Sequence, residues 1–120
     1  MSVCDNSGNA IVQNTYGIAP LVSLSNVSAT GAGAALDGLV IRTTAVMVVT
    51  SSAGVSAGAV QAQTSLDGVN WANAGSSVST STASTVFAPV VITGAFRFVR
   101  ANATTAIAGG TISATVGLTG

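Results

Sequence analysis

The 120-residue chain carries very little charge, since it contains three Arg, three Asp and no Lys, Glu or His. Charged residues make up 5% of the chain, against about 25% in a typical soluble domain. Without His and Lys, a Ser-His-Asp triad, a Cys-His pair and a Lys Schiff base are excluded. Asp5, Asp37 and Asp67 lie in turn-like contexts and not in an apolar pocket that would tune a carboxyl pKa. We therefore expect no enzymatic activity, no catalytic residue and no cofactor.

The scarcity of charge also limits the partners. The net charge is zero and three Arg cannot form the basic face that neutralises phosphates, so nucleic acid is not expected as a partner. Apolar residues occur in short runs broken by Ser, Thr and Gly, far below the roughly 18 residues of a membrane span, and no membrane insertion is expected. Met1 to Gly8 lack the basic and apolar regions of a secretory signal. We expect a protein made in the cytoplasm without a signal peptide.

The first 20 residues differ from the rest, because they show no sustained alternation of apolar and polar residues. They are predicted to form an N-terminal arm, followed by one domain over residues 21–120. The arm is either a disordered leader or a segment that docks on a neighbouring subunit, with Ile11 and Val12 adding a strand to an open edge. The single cysteine, Cys4, permits no internal disulfide; it is either a small side chain in the arm or a bridge to another chain. The candidate assembly residues are Cys4, Ile11, Val12 and Tyr16.

What the chain does have is Val, Ile, Thr and Ser alternating with small residues, which is typical of strands. We expect an all-β fold, an antiparallel β-sandwich or jelly roll of seven to eight short strands. In the last strand, Ile112 to Leu118, every second residue is apolar, so one face should be buried. The predicted strands are Leu21 to Asn26, Leu39 to Thr43, Ala45 to Ser51, Ala57 to Ser65, Asn70 to Ala74, Ser84 to Val91, Ala95 to Ala103 and Thr111 to Leu118.

Three dipeptides are typical of turns. Asp67-Gly68 predicts a hairpin with a type I′ turn, which needs positive φ at both central positions, between the strand that ends at Ser65 and the strand that carries Trp71. Asp37-Gly38 and Gly109-Gly110 predict turns in the same way. A calcium site at Asp67 would need several converging oxygen ligands, and only one carboxylate is local, so we expect no metal site.

The large and charged side chains are concentrated in two segments, Ser65 to Trp71 (SLDGVNW) and Phe96 to Arg100 (FRFVR). In the second segment Phe96, Phe98 and Arg100 alternate with Arg97, so both faces of that strand carry large side chains and the strand should be central. The two Arg should pair with Asp37 or Asp67, or bond loop carbonyls. The lone Trp71 either caps the core or, exposed, stacks on a sugar ring. The predicted fold-signature residues are Asp67, Gly68, Trp71, Phe96, Arg97, Phe98 and Arg100.

The spacing of these two segments resembles the S-x-D-G-x-x-W and R-[YF]-V-R pattern of discoidin-like β-sandwiches, and a similar pattern occurs in small virion proteins of tailed bacteriophages. The resemblance covers about Leu39 to Leu118 and implies the sandwich fold. Discoidin domains carry exposed hydrophobic or basic recognition loops, and no such loop is evident in this sequence. The virion version implies a capsid decoration, or cement, protein.

A surface without charge is also typical of a subunit that is covered by copies of itself or by a partner. We expect a homo-oligomer, with a cyclic trimer as the specific prediction, bound to a major capsid protein or another virion protein. The expected function is therefore a non-enzymatic structural virion protein that decorates the capsid and reinforces contacts between capsomers. Two alternatives stay open: a tail or fibre adhesin that binds carbohydrate, and a subunit of an extracellular filament joined by its arm.

Overall fold

The structure, a computed structural model, describes residues 18–119 and, for their backbone alone, Ser2–Cys4 and Ala10–Val12. These residues form nine strands and no helix. Among them there is no helix long and apolar enough to cross a lipid bilayer. The strands are β1 Ser2–Cys4, β2 Ala10–Val12, β3 Leu21–Val27, β4 Gly31–Ala32, β5 Leu36–Ser51, β6 Ala57–Ser65, β7 Ala72–Ser79, β8 Val90–Ala108 and β9 Ile112–Thr119.

Seven of these strands belong to one antiparallel sheet in the order β3-β9-β5-β8-β6-β7, with β4 also paired to β8. Two strands are much longer than the others, since β5 has 16 residues and β8 has 19. Their mutual pairing shifts register between Asp37 and Arg42 and again between Arg42 and Thr44. Irregularities of this kind bend a strand. Each long strand therefore contributes to two layers, and the continuous sheet folds into a β-sandwich, as predicted.

The pairing registers identify the two layers. The first layer contains β3, β9, the later part of β5 and the start of β8, and in it Val46 pairs with Gly117 on one side and Val91 on the other. The second layer contains β7, β6 and the later part of β8, with β4 and the start of β5 along its other side. Because β8 pairs with neighbours on both sides, it is the central strand that the sequence predicted.

The core lies between the two layers and is built from small and medium apolar side chains. The last strand follows its predicted alternation, since Ile112, Ala114, Val116 and Leu118 are all buried. Alternation places one face of each strand in the core. The other buried apolar residues are Leu24, Ala45, Met47, Val49, Val55, Val60, Ala62, Ile92, Phe96, Val99, Ala101, Ala103 and Ile107.

One side of the sandwich is closed by a polar group. The Oγ of Ser23, on β3 of the first layer, accepts a hydrogen bond from the Ala101 amide of the second layer at 2.9 Å. The same hydroxyl donates to the Ala34 carbonyl at 2.7 Å. The Ser28 carbonyl accepts a further bond from the Ile107 amide at 2.8 Å. These contacts join the edge of one layer to the edge of the other.

Several predicted strand bounds are confirmed and others are corrected. The strand Ala57 to Ser65 and the turn at Gly109, which has a φ of 82°, are as predicted. The predicted strands Leu39 to Thr43 and Ala45 to Ser51 are parts of one strand, β5, so Asp37-Gly38 does not end a hairpin. The predicted strand Ser84 to Val91 is wrong, because regular pairing starts only at Val90. Residues 84–89 contribute one isolated bridge.

The predicted arm lies largely outside the described residues. Its strands β1 and β2 pair with each other, with Val3 opposite Ile11. For Cys4, Ile11 and Val12 the structure describes the backbone alone, and Tyr16 lies outside the described residues. The docking of the arm on a neighbour therefore stays a prediction.

The closure by Ser23 can be tested by removing its hydroxyl. We expect Ser23→Ala to lower the free energy of unfolding by about 1–3 kcal/mol, because a buried amide and a carbonyl lose their partner. Urea denaturation measures the difference, and Ser25→Ala, on the exposed side of the same strand, is the matched control. Equal stability of the two variants would contradict this role of Ser23.

Candidate functional site

The segment after β6, residues 66–71 and here called the Asp67 loop, is organised by one carboxylate. The Oδ1 atom of Asp67 accepts hydrogen bonds from the amides of Val69 and Asn70, both at 2.8 Å. Its Oδ2 atom accepts a bond from the Asn70 side-chain amide at 2.7 Å. The Ser65 hydroxyl donates to Oδ1 at 2.9 Å. Both oxygens of the carboxylate are thus engaged inside the loop, which gives Asp67 a structural role.

These donors also set the charge state of the carboxyl group. The backbone amides of Asn70 and Val69, followed by the Asn70 side chain and Ser65, hold the pKa of Asp67 well below its ordinary value. Hydrogen bonds to the ionised form have this effect because they favour the charged state. The predicted hairpin is confirmed, since β6 and β7 pair antiparallel across the six residues that connect them. The predicted type I′ turn is wrong, because of Asp67 and Gly68 only Gly68 has a positive φ, 76°.

Next to the loop, two arginines and two aromatic rings form an arginine–aromatic stack. The guanidinium carbon of Arg100 lies 4.1 Å from the centre of the Trp71 ring. That of Arg97 lies 5.1 Å from the centre of the Phe98 ring. The two rings meet edge to face with their centres 6.4 Å apart. The Trp71 indole N–H donates to the Gly68 carbonyl at 3.2 Å, which ties the stack to the Asp67 loop.

The stack bears on the two positions left open for Trp71 and corrects the alternation expected for Phe96, Phe98 and Arg100. Trp71 is half-buried on the outside of the second layer and does not belong to the core cluster. Phe96 is buried in the core, whereas Phe98 and Arg100 are half-buried outside it. The simple alternation predicted for this strand fails, because the register shift opposite Phe96 changes which residues face inward.

The predicted ion pair of Arg97 is confirmed. Its guanidinium binds Asp37 through two bonds, Nε to Oδ1 at 2.7 Å and Nη2 to Oδ2 at 2.9 Å. This contact, and then the Leu39 amide, hold the pKa of Asp37 below its ordinary value. Arg100 instead donates to the Gln63 side chain at 2.8 Å. A further charged residue in this region, Arg42, is buried and donates to the Gly38 carbonyl at 2.8 Å.

These bonds surround a bulge in β5. Asp37 pairs with Phe98 and Arg42 pairs with Phe96, so the four residues 38–41 lie opposite a single residue of β8. The bulge projects Leu39, Val40 and Ile41, which we call the apolar knob, and their side chains are 67%, 59% and 59% exposed. Leu39 has a φ of 69°, a conformation that costs a non-glycine residue about 1–3 kcal/mol. The Leu39 amide donates to Asp37 Oδ1 at 2.8 Å, which helps to hold it there.

The apolar knob is the feature that sequence reasoning missed. The run Leu39 to Ile41 was expected inside a strand, and no exposed apolar loop was expected anywhere. The available signal was Asp37-Gly38 directly before three large apolar residues. An Asp-Gly pair that does not end a strand can mark a bulge, and residues beyond a bulge lose their alternation.

The knob and the Asp67 loop leave the sheet at the same level. Asp37 on β5 and Ser65 on β6 lie on either side of Phe98 on β8. The knob follows directly after Asp37, and the Asp67 loop follows directly after Ser65. Neighbouring strands are about 4.8 Å apart, so the two segments start roughly 10 Å from each other. A cavity of about 350 Å³ lies beside the Asp67 loop, between the loop and Phe96. Leu66 and Val69 of the loop are also exposed.

The outer face of the first layer has a different character. This face is formed by the strand residues that alternate with the buried core residues, such as Val22, Val46, Val48, Val91 and Thr115. None of the charged side chains in residues 18–119 lies on it. Two adjoining cavities of about 290 and 200 Å³ run along this face. We call them together the apolar groove, which is lined by Ile18, Pro20, Val46, Val48, Gly117 and Leu118.

The comparisons with known proteins concern the fold. No family model matches the chain, and no curated protein matches its sequence. Among solved structures, the chain is similar to the SPBc2 prophage-derived protein YomS with a TM-score of 0.60 and 9% identity, over 93% of this chain and 100% of that one. It is also similar to the C-terminal domain of a chitobiase from Bacteroides fragilis, with a TM-score of 0.49 and 15% identity, over 70% of this chain and 59% of that one. The first likeness establishes that the sandwich fold is shared with a prophage-derived protein over the whole of that protein.

The lowered pKa of Asp67 predicts a pH dependence of stability. A carboxyl group whose pKa is lower in the folded state stabilises the fold above its ordinary pKa of 3.8 and loses this effect as the pH falls through its folded value. We expect the free energy of unfolding to decline from about pH 5 to about pH 2, and to decline less in Asp67→Asn. Denaturant titrations at several pH values measure this. A decline in the variant as steep as in the unchanged protein would contradict it.

The position of Trp71 outside the core predicts a modest effect of its removal. We expect Trp71→Ala to lower the free energy of unfolding by about 1–2 kcal/mol, from the lost contacts with Arg100 and Phe98. Trp71→Phe, which keeps a ring over the guanidinium, should lose less. Urea denaturation measures both, and a loss of about 3–5 kcal/mol in Trp71→Ala would instead indicate a core residue.

Proposed function

We propose that this chain is a non-enzymatic structural protein of a bacteriophage virion, and that it decorates the capsid and reinforces the contacts between capsomers. The observation that carries the proposal is the similarity of fold to a prophage-derived protein over the full length of that protein. A chain of this size that is a single sandwich over almost its whole length suits a small subunit bound in many copies.

The use of charge in the structure supports an assembly role. A protein that stays dispersed as a monomer normally relies on an exposed, charged surface. Here Asp37 and Arg97 bind each other, Asp67 is engaged within its own loop, and Arg100 lies over Trp71. The uncharged outer face of the first layer is then available to neighbouring subunits. On a lattice, many weak contacts of this kind become effective through repetition.

The partners that follow from this function are further copies of the chain and a major capsid protein or other virion protein. The protein would be found in the virion after synthesis in the host cytoplasm. The cyclic trimer expected from the sequence is the form of homo-oligomer that we propose.

A carbohydrate-binding adhesin of the tail or fibre is less well supported. Sugar rings stack on the open face of an aromatic side chain, and one face of Trp71 is covered by Arg100. The surroundings of Trp71 in the structure hold it to the protein through its indole N–H and the edge of Phe98. We therefore place this function second.

The experiment that tests the proposal is immunogold electron microscopy of native particles from the source of the chain, with antibodies against this protein. We expect dense label over icosahedral heads. Label confined to tail tips or fibres would favour the adhesin, and label on filaments or cells without virions would overturn the phage assignment. Particles treated with pre-immune antibodies are the control.

A further inference from the structure

We infer that Asp67 is a site of spontaneous isomerisation to isoaspartate, and that the Ser65 hydroxyl holds this site closed in the folded protein. The reaction needs no enzyme and no reactant besides water, so the inference is independent of the proposed function and can be tested on the isolated chain. The modification has a consequence for a virion subunit, because such a subunit is not replaced once the particle has left the cell.

The chemistry starts from the two Asp-Gly pairs of the chain, Asp37-Gly38 and Asp67-Gly68. In such a pair the glycine amide nitrogen can attack the side-chain carboxyl carbon, Cγ, of the aspartic acid, and glycine has no side chain that obstructs the attack. A bond from nitrogen to Cγ forms, and the carboxyl OH leaves as water together with the amide proton. The result is a five-membered succinimide ring.

Hydrolysis of the ring completes the reaction. Water adds to the former main-chain carbonyl carbon, the bond from that carbon to nitrogen breaks, and that carbon becomes a free carboxyl group. The main chain then continues through Cβ and Cγ. The product has the same atoms as the starting chain, so no oxidant or reductant takes part.

Ser65 binds both of the groups that would react at Asp67. Its Oγ atom accepts hydrogen bonds from the Gly68 amide at 2.9 Å and from the Asp67 amide at 3.2 Å. The same hydroxyl donates to Asp67 Oδ1 at 2.9 Å. Ser65 is buried at the end of β6, so the sheet fixes its position. For the attack, the Gly68 nitrogen must leave this hydroxyl and the carboxyl group must turn towards the nitrogen, and Ser65 opposes both movements.

The rest of the Asp67 loop keeps the carboxyl group in its less reactive form. The amides of Val69 and Asn70 bind Oδ1, and the Asn70 side chain binds Oδ2. These bonds favour the ionised carboxyl group and keep the pKa of Asp67 well below its ordinary value. A neutral carboxyl group can lose its OH as water, whereas an ionised one has no such leaving group. The closed loop therefore slows the reaction both by position and by charge.

The Asp67 loop can open without unfolding the sheet. It is a six-residue connection outside the ladder of β6 and β7, and its Leu66 and Val69 side chains are exposed. Segments with few buried contacts open at a lower cost in free energy than the core does. When this loop opens, the Gly68 nitrogen and the Asp67 carboxyl group are released together, because one hydroxyl binds both.

The second Asp-Gly pair provides the contrast. Asp37 is bound to Arg97 by two hydrogen bonds. Gly38 lies inside β5, where an added Cβ would be 2.7 Å from Arg42 Cγ and 2.9 Å from the Arg97 carbonyl oxygen, so there is little room for a ring. Release of this pair requires separation of β5 from β8, on which the core depends. We therefore expect Asp67, and not Asp37, to isomerise in the folded protein.

The modification should also change the arginine–aromatic stack. The Gly68 carbonyl accepts the Trp71 indole N–H at 3.2 Å, and a Cβ on Gly68 would be 3.4 Å from Phe98 Cζ. Isomerisation lengthens the main chain between Asp67 and Gly68 by one carbon atom and so displaces this carbonyl. Trp71 is the single Trp of the chain, and its fluorescence therefore reports the change.

The test is a long incubation at neutral pH, followed by peptide mapping that separates isoaspartyl from aspartyl peptides. In the unchanged folded protein we expect isoaspartate to accumulate at Asp67 while Asp37 stays intact. In urea, where the chain is unfolded, both should convert, and faster. Ser65→Ala should raise the rate at Asp67 at least about fivefold, the factor that corresponds to one hydrogen bond, and should leave Asp37 intact.

Two further variants serve as controls. Ser76→Ala removes a hydroxyl from the exposed strand β7 and should isomerise like the unchanged protein. Ser65→Thr keeps a hydroxyl at the buried position and should stay closer to the unchanged rate than Ser65→Ala. If Ser65→Ala unfolds the whole chain, Asp37 converts together with Asp67, and the comparison of these two sites in the unchanged protein then decides.

Three results would overturn the inference. The first is conversion of Asp67 in the folded protein as fast as in urea, since the loop would then give no protection. The second is conversion of Asp37 ahead of Asp67 in the folded protein. The third is a folded Ser65→Ala variant whose rate at Asp67 equals that of the unchanged protein, or that forms no isoaspartate by the time the unfolded chain has converted.

Discussion

The pairing of β5 with β8, and its interruption at Asp37, is the constraint on which the rest of this structure depends. Because four residues of β5 face one residue of β8, the two long strands bend there and pass from one layer to the other. The same interruption pushes Leu39, Val40 and Ile41 out of the sheet. Fold and protruding surface therefore have one origin, and neither can change without the other.

The bonds around this interruption explain where the scarce charges are used. The Asp37–Arg97 pair is 36% and 41% exposed at its side chains, and exposed ion pairs contribute little to stability. Its geometric effect is larger, since it fixes Asp37 so that the carboxylate can accept the Leu39 amide. Asp67 does the same for its own loop. In a chain with so few ionic groups, these groups serve mainly to hold two apolar loops in defined positions.

Whether a feature of this structure could be predicted from the sequence depends on whether residues close together in the chain or residues far apart determine it. The strand Ala57 to Ser65 and the inward face of Ile112 to Leu118 followed from alternation, which is a local property of each strand. The ion pair of Arg97 with Asp37 was predicted as one of several choices, since charges were few. The connection at Asp67 was predicted wrongly because side-chain hydrogen bonds organise that loop. The strand at Ser84 was predicted wrongly because residues 84–89 pair with β5 through one isolated bridge, Thr50 to Val86, and form no regular ladder.

The sequence by itself determined the all-β class, the buried alternation of the last strand and the exclusion of His- and Lys-dependent catalysis, because these depend only on residue types and their period. Only the tertiary structure decided that Phe96 lies inside and Phe98 outside, that Trp71 lies against an arginine and outside the core, and that Leu39, Val40 and Ile41 protrude from a bulge. Each of those outcomes is set by the register between strands distant in sequence. A shift of one residue in that register reverses which face a side chain occupies.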